Sequence, residues 1–172
     1  MTTWAAAAVI ALLRALPRAA RSRRLRISGL SMTPTLRAGD IVLAEPYGRA
    51  QLPRVGEVVS GRAPGSGLAV LKRIVAGPGD EVVRQAPGCW VNSKWVGPGP
   101  QPHSMTDAAP ESCGWAQYYL MGDNTLHSTD SRSYGPVERA FIEGRVWLVV
   151  WPLKRLQRVA RAPWFDRDLF LS

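Results

Sequence analysis

The sequence is poor in the residues that build metal sites and disulfide scaffolds. It contains two cysteines and two histidines among 172 residues. His103 and His127 have no metal-ligand spacing relative to the cysteines, so we predict no metal site and no cofactor. Cys89 and Cys113 bracket a predicted loop, and two alternatives stay open for them: a disulfide in an oxidising compartment, or two free thiols.

A hydrophobic run long enough to cross a bilayer is also missing. The apolar stretch 4–16 is interrupted by Arg14, and its 13 residues fall short of the roughly 20 that a spanning helix needs. A short cationic amphipathic helix in the membrane interface fits this stretch better. An arginine-rich start without acidic residues is also typical of an organellar transit segment, so a mitochondrial origin is an alternative.

Acidic residues are scarce at both ends of the chain, whose net charge is +9. Residues 1–28 contain six arginines and no acid, and residues 154–172 contain five basic residues and two acidic ones, whereas the stretch between them is neutral overall. A nucleic-acid-binding protein usually carries its basic patch on the folded surface. Basic ends around a neutral core therefore favour an anionic membrane surface, and not nucleic acid, as the partner.

Glycine and proline, by contrast, are abundant, with 16 and 14 residues, and they separate short runs rich in β-branched and aromatic residues. This pattern predicts a mainly β domain of short antiparallel strands and long loops. We place it at 27–153, after an apolar and arginine-rich membrane-associating segment at 1–26 that includes a short helix, and before a basic tail at 154–172. Asn92 and Ser93 are expected in a hairpin turn. The predicted strands are IVLAE, EVVS, LAVLKRIV, DEVVR, CWVN, YYLMG and RVWLVVW.

Ser31 and Lys72 are candidates for catalysis. A serine hydroxyl becomes a nucleophile only when a nearby base takes its proton. Lys72 lies in the run LAVLKRIV, where a strand would carry the amine into apolar surroundings that favour its neutral form. Taken alone, each residue has an ordinary explanation, Lys72 as a solvated strand lysine and Ser31 as a turn hydroxyl.

Four sequence segments change that balance. They are SMTPTL at 31–36, GDIVL at 39–43, KRIVAGPGD at 72–80 and GDNTLHSTDSRSYGPV at 122–137. In this order they resemble the boxes of the type I signal peptidase family, the S26-type Ser/Lys peptidases of bacteria and organelles. The resemblance spans most of 27–152. It implies the β fold of that family and a serine endopeptidase that removes leader peptides from exported proteins after small residues.

The resemblance also assigns roles. Ser31 resembles the nucleophile, Lys72 the general base that later gives its proton to the leaving amine, and Ser128 a serine that holds this amine in place. Gly29 stands where some members have a serine that helps bind the oxyanion, so the second donor would be backbone or water. Four charged residues match structural support, with surface salt bridges as the alternative interpretation: Asp130 and Arg132 as an ion pair, and Arg73 and Asp123 flanking the base.

Apolar side chains around this pair are implied to line shallow pockets for small residues, such as alanine, one and three positions before the cut. An exposed strand edge beside them would let an extended peptide add as a strand. The alternative is that these side chains are ordinary core. The residues concerned are Ile27, Met32, Leu36, Val42, Val70 and Leu71.

The family resemblance implies preprotein substrates and a location at the cytoplasmic membrane with the active site on its outer face, or at the mitochondrial inner membrane. Two rival interpretations remain. A self-cleaving Ser/Lys protease of the SOS-repressor type would carry a DNA-binding domain before Ser31, for which 30 residues leave no room. An inactive membrane- or nucleic-acid-binding module on the same fold is the second, and the presence of Ser31, Lys72 and Ser128 argues against it.

Overall fold

The computed structural model describes residues 17–161 of the chain. Residues 17–21 are helical, whereas the predicted interfacial stretch 4–16 lies outside the described residues. Within these residues the strands are β1 (Arg23–Arg26), β2 (Ile41–Pro46), β3 (Val58–Arg62), β4 (Ala69–Ala76), β5 (Glu81–Gln85), β6 (Gly88–Val91), β7 (Lys94–Val96), β8 (Glu111–Ser112), β9 (Gln117–Met121), β10 (Val137–Glu138), β11 (Ile142–Trp151) and β12 (Gln157–Arg158). Short helical segments lie at Thr125–His127, Ser131–Tyr134, Arg139–Phe141 and Leu153–Arg155.

The strands form two antiparallel sheets. The larger has the order β1-β2-β11-β3-β4-β9-β10, with β12 also paired to β11, and the smaller has the order β7-β6-β5-β8. The long strand β11 pairs with β2, β3 and β12, and register shifts after Val146 and Val149 interrupt its ladder with β2. Such irregularities bend a strand, so β11 can serve several neighbours. The predicted mainly β fold of short antiparallel strands and long loops is confirmed.

Local sequence explains most of these elements. Each predicted β-rich run falls on a strand, because Val, Ile and aromatic residues fit a pleated, half-buried surface. Asn92 and Ser93 form the predicted turn between β6 and β7, with φ angles of 48° and 65°. A two-residue hairpin turn of this kind needs positive φ at both positions, which asparagine tolerates better than most residues.

Strand β4 is apolar along most of its length because its second half is buried on both faces. Val75 packs with Tyr119, Met121 and residues of the smaller sheet, whereas Ile74 packs with Tyr118 and Leu120 on the other face. A third cluster joins β2, β3 and β11 to the loop between β1 and β2. The core therefore buries the second half of β4, where the larger sheet packs on the smaller one, and leaves its first half at the surface.

The disulfide alternative for the cysteines is wrong. Cys89 and Cys113 are free and buried, and Cys89 Sγ lies 3.4 Å from Met121 Sδ. Cys89 lies in β6 and Cys113 follows β8, and these strands pair with opposite edges of β5. The Cα atoms of the two cysteines are therefore at least two strand spacings apart, and each spacing is about 4.8 Å. A disulfide tolerates a Cα separation of at most roughly 7 Å.

Residues 153–161, which we call the C-terminal strap, pack against the core. They include the described part of the predicted basic tail. Val159 is buried and its amide donates to Trp147 O at 2.9 Å, while Arg155 pairs with the buried Asp40. Across residues 17–161, no helix has the length and apolar content needed to cross a bilayer.

Candidate active site

Ser31 lies in a compact turn between β1 and β2, residues 30–36, which we call the serine turn. The amide of Thr33 donates to Leu30 O at 3.1 Å, and the amide of Leu36 donates to Met32 O at 2.8 Å. Met32 and Leu36 are buried in the core cluster of β2, β3 and β11. The burial of these two side chains fixes the turn against the core, while Ser31 stays partly accessible.

Lys72 reaches Ser31 from the neighbouring strand β4. Its Nζ lies 3.1 Å from Ser31 Oγ, and the residue is only 4% exposed. Within residues 17–161, no carboxylate comes within ion-pair distance of this amine. Burial lowers the pKa of Lys72 below its ordinary value, and the nearby opposite charges of Asp130 and Arg132 act against each other. The amine is therefore well suited to accept a proton from the hydroxyl.

A cleft of about 320 Å³ opens beside these two side chains. Of the residues predicted to bind substrate, it is lined by Ile27, Gly29, Met32, Val70 and Leu71. Ser60 and Gly61 on β3 and Glu143 on β11 also line it, and sequence reasoning did not single them out.

Leu36 and Val42 were predicted to line the same pockets. Both have no exposed surface, and both lie in the core cluster that includes Ile27 and Met32. They support the floor of the cleft without facing it, so for these two residues the core interpretation applies.

The first half of β4 has one open edge. Strand β3 pairs with it from Ala69 to Arg73, whereas β9 pairs with it only from Arg73 onward. The backbone of Ala69–Lys72 therefore has hydrogen-bonding groups on one side that no strand within residues 17–161 pairs with, and these residues line the cleft. An extended peptide could add to this edge as a strand.

Ser128 lies close to Ser31 but makes no hydrogen bond to Lys72. Its Oγ is buried and close enough to the Asp130 carboxylate to help lower the pKa of Asp130, although within residues 17–161 it makes no hydrogen bond of good geometry. A side chain at Gly122 would collide with Ser128 Oγ and with Ser31 O, so the two serines converge around a position that only glycine can occupy.

Arg73, next to Lys72 on β4, is paired in a buried salt bridge. Its Nε and Nη2 donate to the two carboxylate oxygens of Asp123 at 2.8 and 2.7 Å, and its Nη1 donates to Gly56 O and Ala160 O. The two side chains are 4% and 8% exposed, which excludes the surface-salt-bridge interpretation.

Asp130 and Arg132 form a second such pair, with Nε and Nη2 of Arg132 donating to the carboxylate at 2.8 and 2.9 Å. Asp130 is fully buried. Burial alone would raise the pKa of Asp130, but hydrogen bonds from Arg132 and from the Gly122 amide lower it below its ordinary value. Arg132 also donates to Pro87 O at 2.6 Å, which ties the site to the smaller sheet.

Two further residues hold the serine turn, and sequence reasoning missed both. The amide of Asn124 donates to Ser31 O at 2.9 Å, and its side chain donates to Leu30 O at 3.3 Å. Thr35 Oγ1 donates to Asp123 Oδ2 at 2.5 Å. Both residues belong to the segments that carry the family resemblance, and this was the available signal.

A serine hydroxyl beside a buried lysine amine, in a cleft with an open strand edge on a mainly β fold, is the arrangement expected of a serine-type peptidase that uses lysine as its base. The family model described as "Signal peptidase, peptidase S26" matches residues 1–151. The chain belongs to this family.

Relatives support the assignment. Mitochondrial inner membrane protease subunit 1 of Xenopus tropicalis is 33% identical over 79% of this chain and 73% of its own length, and the protein of that name from Schizosaccharomyces pombe is 37% identical over 73% and 71%. Probable signal peptidase I-2 of Synechocystis is 31% identical over 76% of this chain and 63% of its own length.

A crystal structure of a signal peptidase I from Enterococcus faecalis aligns with 55% of this chain and 97% of its own, at a TM-score of 0.43 and 21% identity. Family membership rests on the sequence matches.

Proposed function

We propose that the protein is a signal peptidase, an endopeptidase that removes leader peptides from exported proteins, with Ser31 as nucleophile and Lys72 as general base. One observation carries the proposal. A lysine amine that is buried, has no carboxylate partner within residues 17–161 and has a lowered pKa lies 3.1 Å from a serine hydroxyl at the edge of a cleft. A lysine held for structural reasons alone would normally have an acidic partner.

In the proposed first step, Ser31 Oγ attacks the carbonyl carbon of the scissile peptide bond while neutral Lys72 takes the hydroxyl proton. The protonated amine then gives this proton to the leaving nitrogen, the C–N bond breaks, and the leader remains as an ester on Ser31. In the second step, Lys72 takes a proton from water, the resulting hydroxide attacks the ester, and the proton returns to Ser31 Oγ as the acid leaves. The same amine thus serves as base and acid in turn.

The backbone amide of Ser31 is the proposed donor to the oxyanion in both steps. Gly29 supplies no hydroxyl, and an added Cβ there would meet open space. A second donor at this place would therefore be backbone or water. Ser128 is proposed to orient the Lys72 amine, since its buried Oγ lies beside Ser31 and a hydroxyl oxygen can accept a hydrogen bond from an amine.

Substrate selection is proposed to follow from the cleft. The extended leader would pair with the open edge of Ala69–Lys72, and alternate side chains would point into the apolar floor formed by Ile27, Met32 and Leu71. Because the floor is backed by fully buried core, these pockets cannot deepen, which favours small residues such as alanine near the cut.

We propose that the enzyme works at an anionic membrane surface, the bacterial cytoplasmic membrane or the mitochondrial inner membrane named for several relatives. Trp151, Leu153 and Leu156 are more than half exposed, and Lys154 lies among them. Exposed tryptophan and leucine beside basic residues suit a lipid interface.

The proposal is tested by incubating the full chain with one preprotein in detergent and measuring product masses. We expect a single cut after a small residue and no cut with Ser31→Ala. Equal cleavage by Ser31→Ala, or cuts scattered along the substrate, would contradict the proposal. Cleavage of the chain itself in the absence of preprotein would favour the self-cleaving alternative.

A further inference from the structure

The C-terminal strap contacts the serine turn directly. Arg155 lies beyond residue 151, where the family match ends. Its Nε and Nη2 each donate at 2.9 Å to the carboxylate of Asp40, and Nη2 also donates to Thr35 O at 3.2 Å. A guanidinium presents several donors in a fixed plane, so one side chain can hold two acceptors in a set relation.

The acceptors of Arg155 belong to the two ends of one short segment. Thr35 lies in the serine turn, four residues after Ser31, and Asp40 precedes β2. Asp40 is 2% exposed and also accepts from the amide of Arg37 at 2.9 Å. The guanidinium therefore closes the segment between the end of the turn and the start of the strand.

Thr35 is held from the other side as well, because its hydroxyl donates to Asp123, the partner of Arg73. Thr35 is thus bound at two atoms. Its carbonyl oxygen accepts from Arg155, and its hydroxyl donates to Asp123. The turn that contains both Thr35 and Ser31 is closed by the bonds from Leu36 N to Met32 O and from Thr33 N to Leu30 O. Thr35 and Ser31 are thus four residues apart within one hydrogen-bonded turn, a path short enough for a shift at one residue to move the other.

We propose that Arg155 is a positioning residue, through which the C-terminal strap holds the serine turn so that Ser31 Oγ stays at hydrogen-bond distance from Lys72. This inference rests on the proposed function, because a position matters only if Ser31 is the nucleophile. Arg155 does not touch substrate, and it acts through Thr35 and Asp40.

Cleavage kinetics with a soluble peptide substrate test the proposal. Arg155→Ala should lower kcat about 10- to 100-fold, the range that misplacing a reacting group by about 1 Å produces, with KM changed by less than about threefold. The midpoint of the acid limb of the pH profile should stay at the wild-type value, because the burial that lowers the pKa of Lys72, and the charges of Asp130 and Arg132 near it, do not depend on Arg155. A purely structural role would lower the melting temperature and leave kcat per folded enzyme unchanged.

Arg158→Ala is the matched control. Arg158 lies in the same strap, is exposed, and loses the same charge on substitution. It should keep kcat at the wild-type value. Arg155→Lys retains the charge but loses the planar set of donors that binds Asp40 and Thr35 together, so it should recover only part of kcat. If Arg155→Ala fails to fold, Arg155→Lys and Asp40→Asn carry the test, and wild-type kcat in both would overturn the proposal.

Hydrogen exchange in the full-length protein gives a readout that needs no activity. Arg155→Ala should speed exchange at the amides of Leu36 and Asn124, which close the serine turn and hold Ser31 O, by about tenfold or more relative to amides of β5. Arg158→Ala should not. Unchanged exchange at both amides would overturn the positioning role. An inactive wild type with this exchange pattern would refute the proposed function and leave the strap contact supported.

Discussion

Lys72 and Arg73 are consecutive basic residues on β4, but their side chains have opposite kinds of surroundings. Arg73 is bound by both oxygens of Asp123 and by two carbonyl oxygens. Lys72 is equally buried, but the only hydrogen bond of its side chain, among the described residues, is with Ser31. The side chains of consecutive residues on a strand point to opposite faces, so one strand can serve both arrangements.

This difference distinguishes a basic residue that supports the structure from one that is suited to act as a base. A buried cation with a full set of acceptors stays charged and stiffens its surroundings, as Arg73 does for the turn at Asp123. A buried amine without such acceptors is favoured in its neutral form, which is the form a base needs.

The largest effect is expected from giving the Lys72 position the chemistry of Arg73. Lys72→Arg should lower cleavage about 1000-fold or more, because a guanidinium does not deprotonate and a missing general base costs up to about 10⁴-fold. Ser31→Ala and Lys72→Ala should be equally inactive. Product masses and circular dichroism of each folded variant check this, and substantial activity in any of the three would argue against the pair.

Removing the partner of Arg73 is the next largest change. Asp123→Asn should lower the free energy of unfolding by about 3 kcal/mol, because it leaves a buried guanidinium without its counter-charge. Urea unfolding measures this. Glu143→Gln is the control, since its partner Arg62 is 61% exposed and such pairs contribute under about 1 kcal/mol. Equal losses in the two variants would mean that burial of the Arg73 pair has no special role.

The pH dependence sharpens the contrast further. Because burial lowers the pKa of Lys72, kcat/KM should rise with pH through that lowered value, as the amine becomes neutral. A flat profile between about pH 6 and 9 would contradict this.

The same lowered pKa means that Lys72 destabilises the folded protein. The unfolded chain binds the proton more tightly, so Lys72→Met should be more stable than wild type below the lowered pKa, by about 1.4 kcal/mol for each unit of the shift. The gain should fade as pH rises toward the ordinary lysine pKa. A gain that does not vary with pH would show that packing, and not the proton, is responsible.

The smallest effect concerns the cysteines behind the Arg73 face, where Val75 packs with Cys89. Burial raises the pKa of Cys89 to about 12 and that of Cys113 to about 11, so both thiols should resist alkylation in the folded protein. Reductant should leave the urea midpoint unchanged. A lower midpoint in reductant would reveal a bridge in solution.

Strands could be predicted where the chain has its own periodic apolar run, as in β4, β9 and β11. The sequence signal was absent for β1, β8, β10 and β12. β1 reads RRLR, and the other three are two residues long. These become strands because they pair with an existing edge, as all four residues of β1 do with β2. Such pairing depends on the neighbour and leaves no local pattern.

The substrate-facing residues show a second limit. Met32 and Leu36 have similar apolar character, but only Met32 lines the cleft. A cleft floor and the core behind it both require apolar side chains, so composition cannot separate them. The spacing of Cys89 and Cys113 in sequence was equally uninformative, because it does not reveal that their strands flank opposite edges of β5.

What the sequence determined by itself was the mainly β fold, the family and the residues that carry the proposed chemistry, because strand propensity and family motifs are local in the chain. The tertiary structure alone decided that Lys72 meets Ser31 across 41 residues, and that of these two cations Arg73 and not Lys72 has a carboxylate partner among residues 17–161. It also decided that Arg155 in the C-terminal strap reaches Thr35. Each of these depends on which distant segments become neighbours, and packing of the two sheets sets that for the whole domain at once.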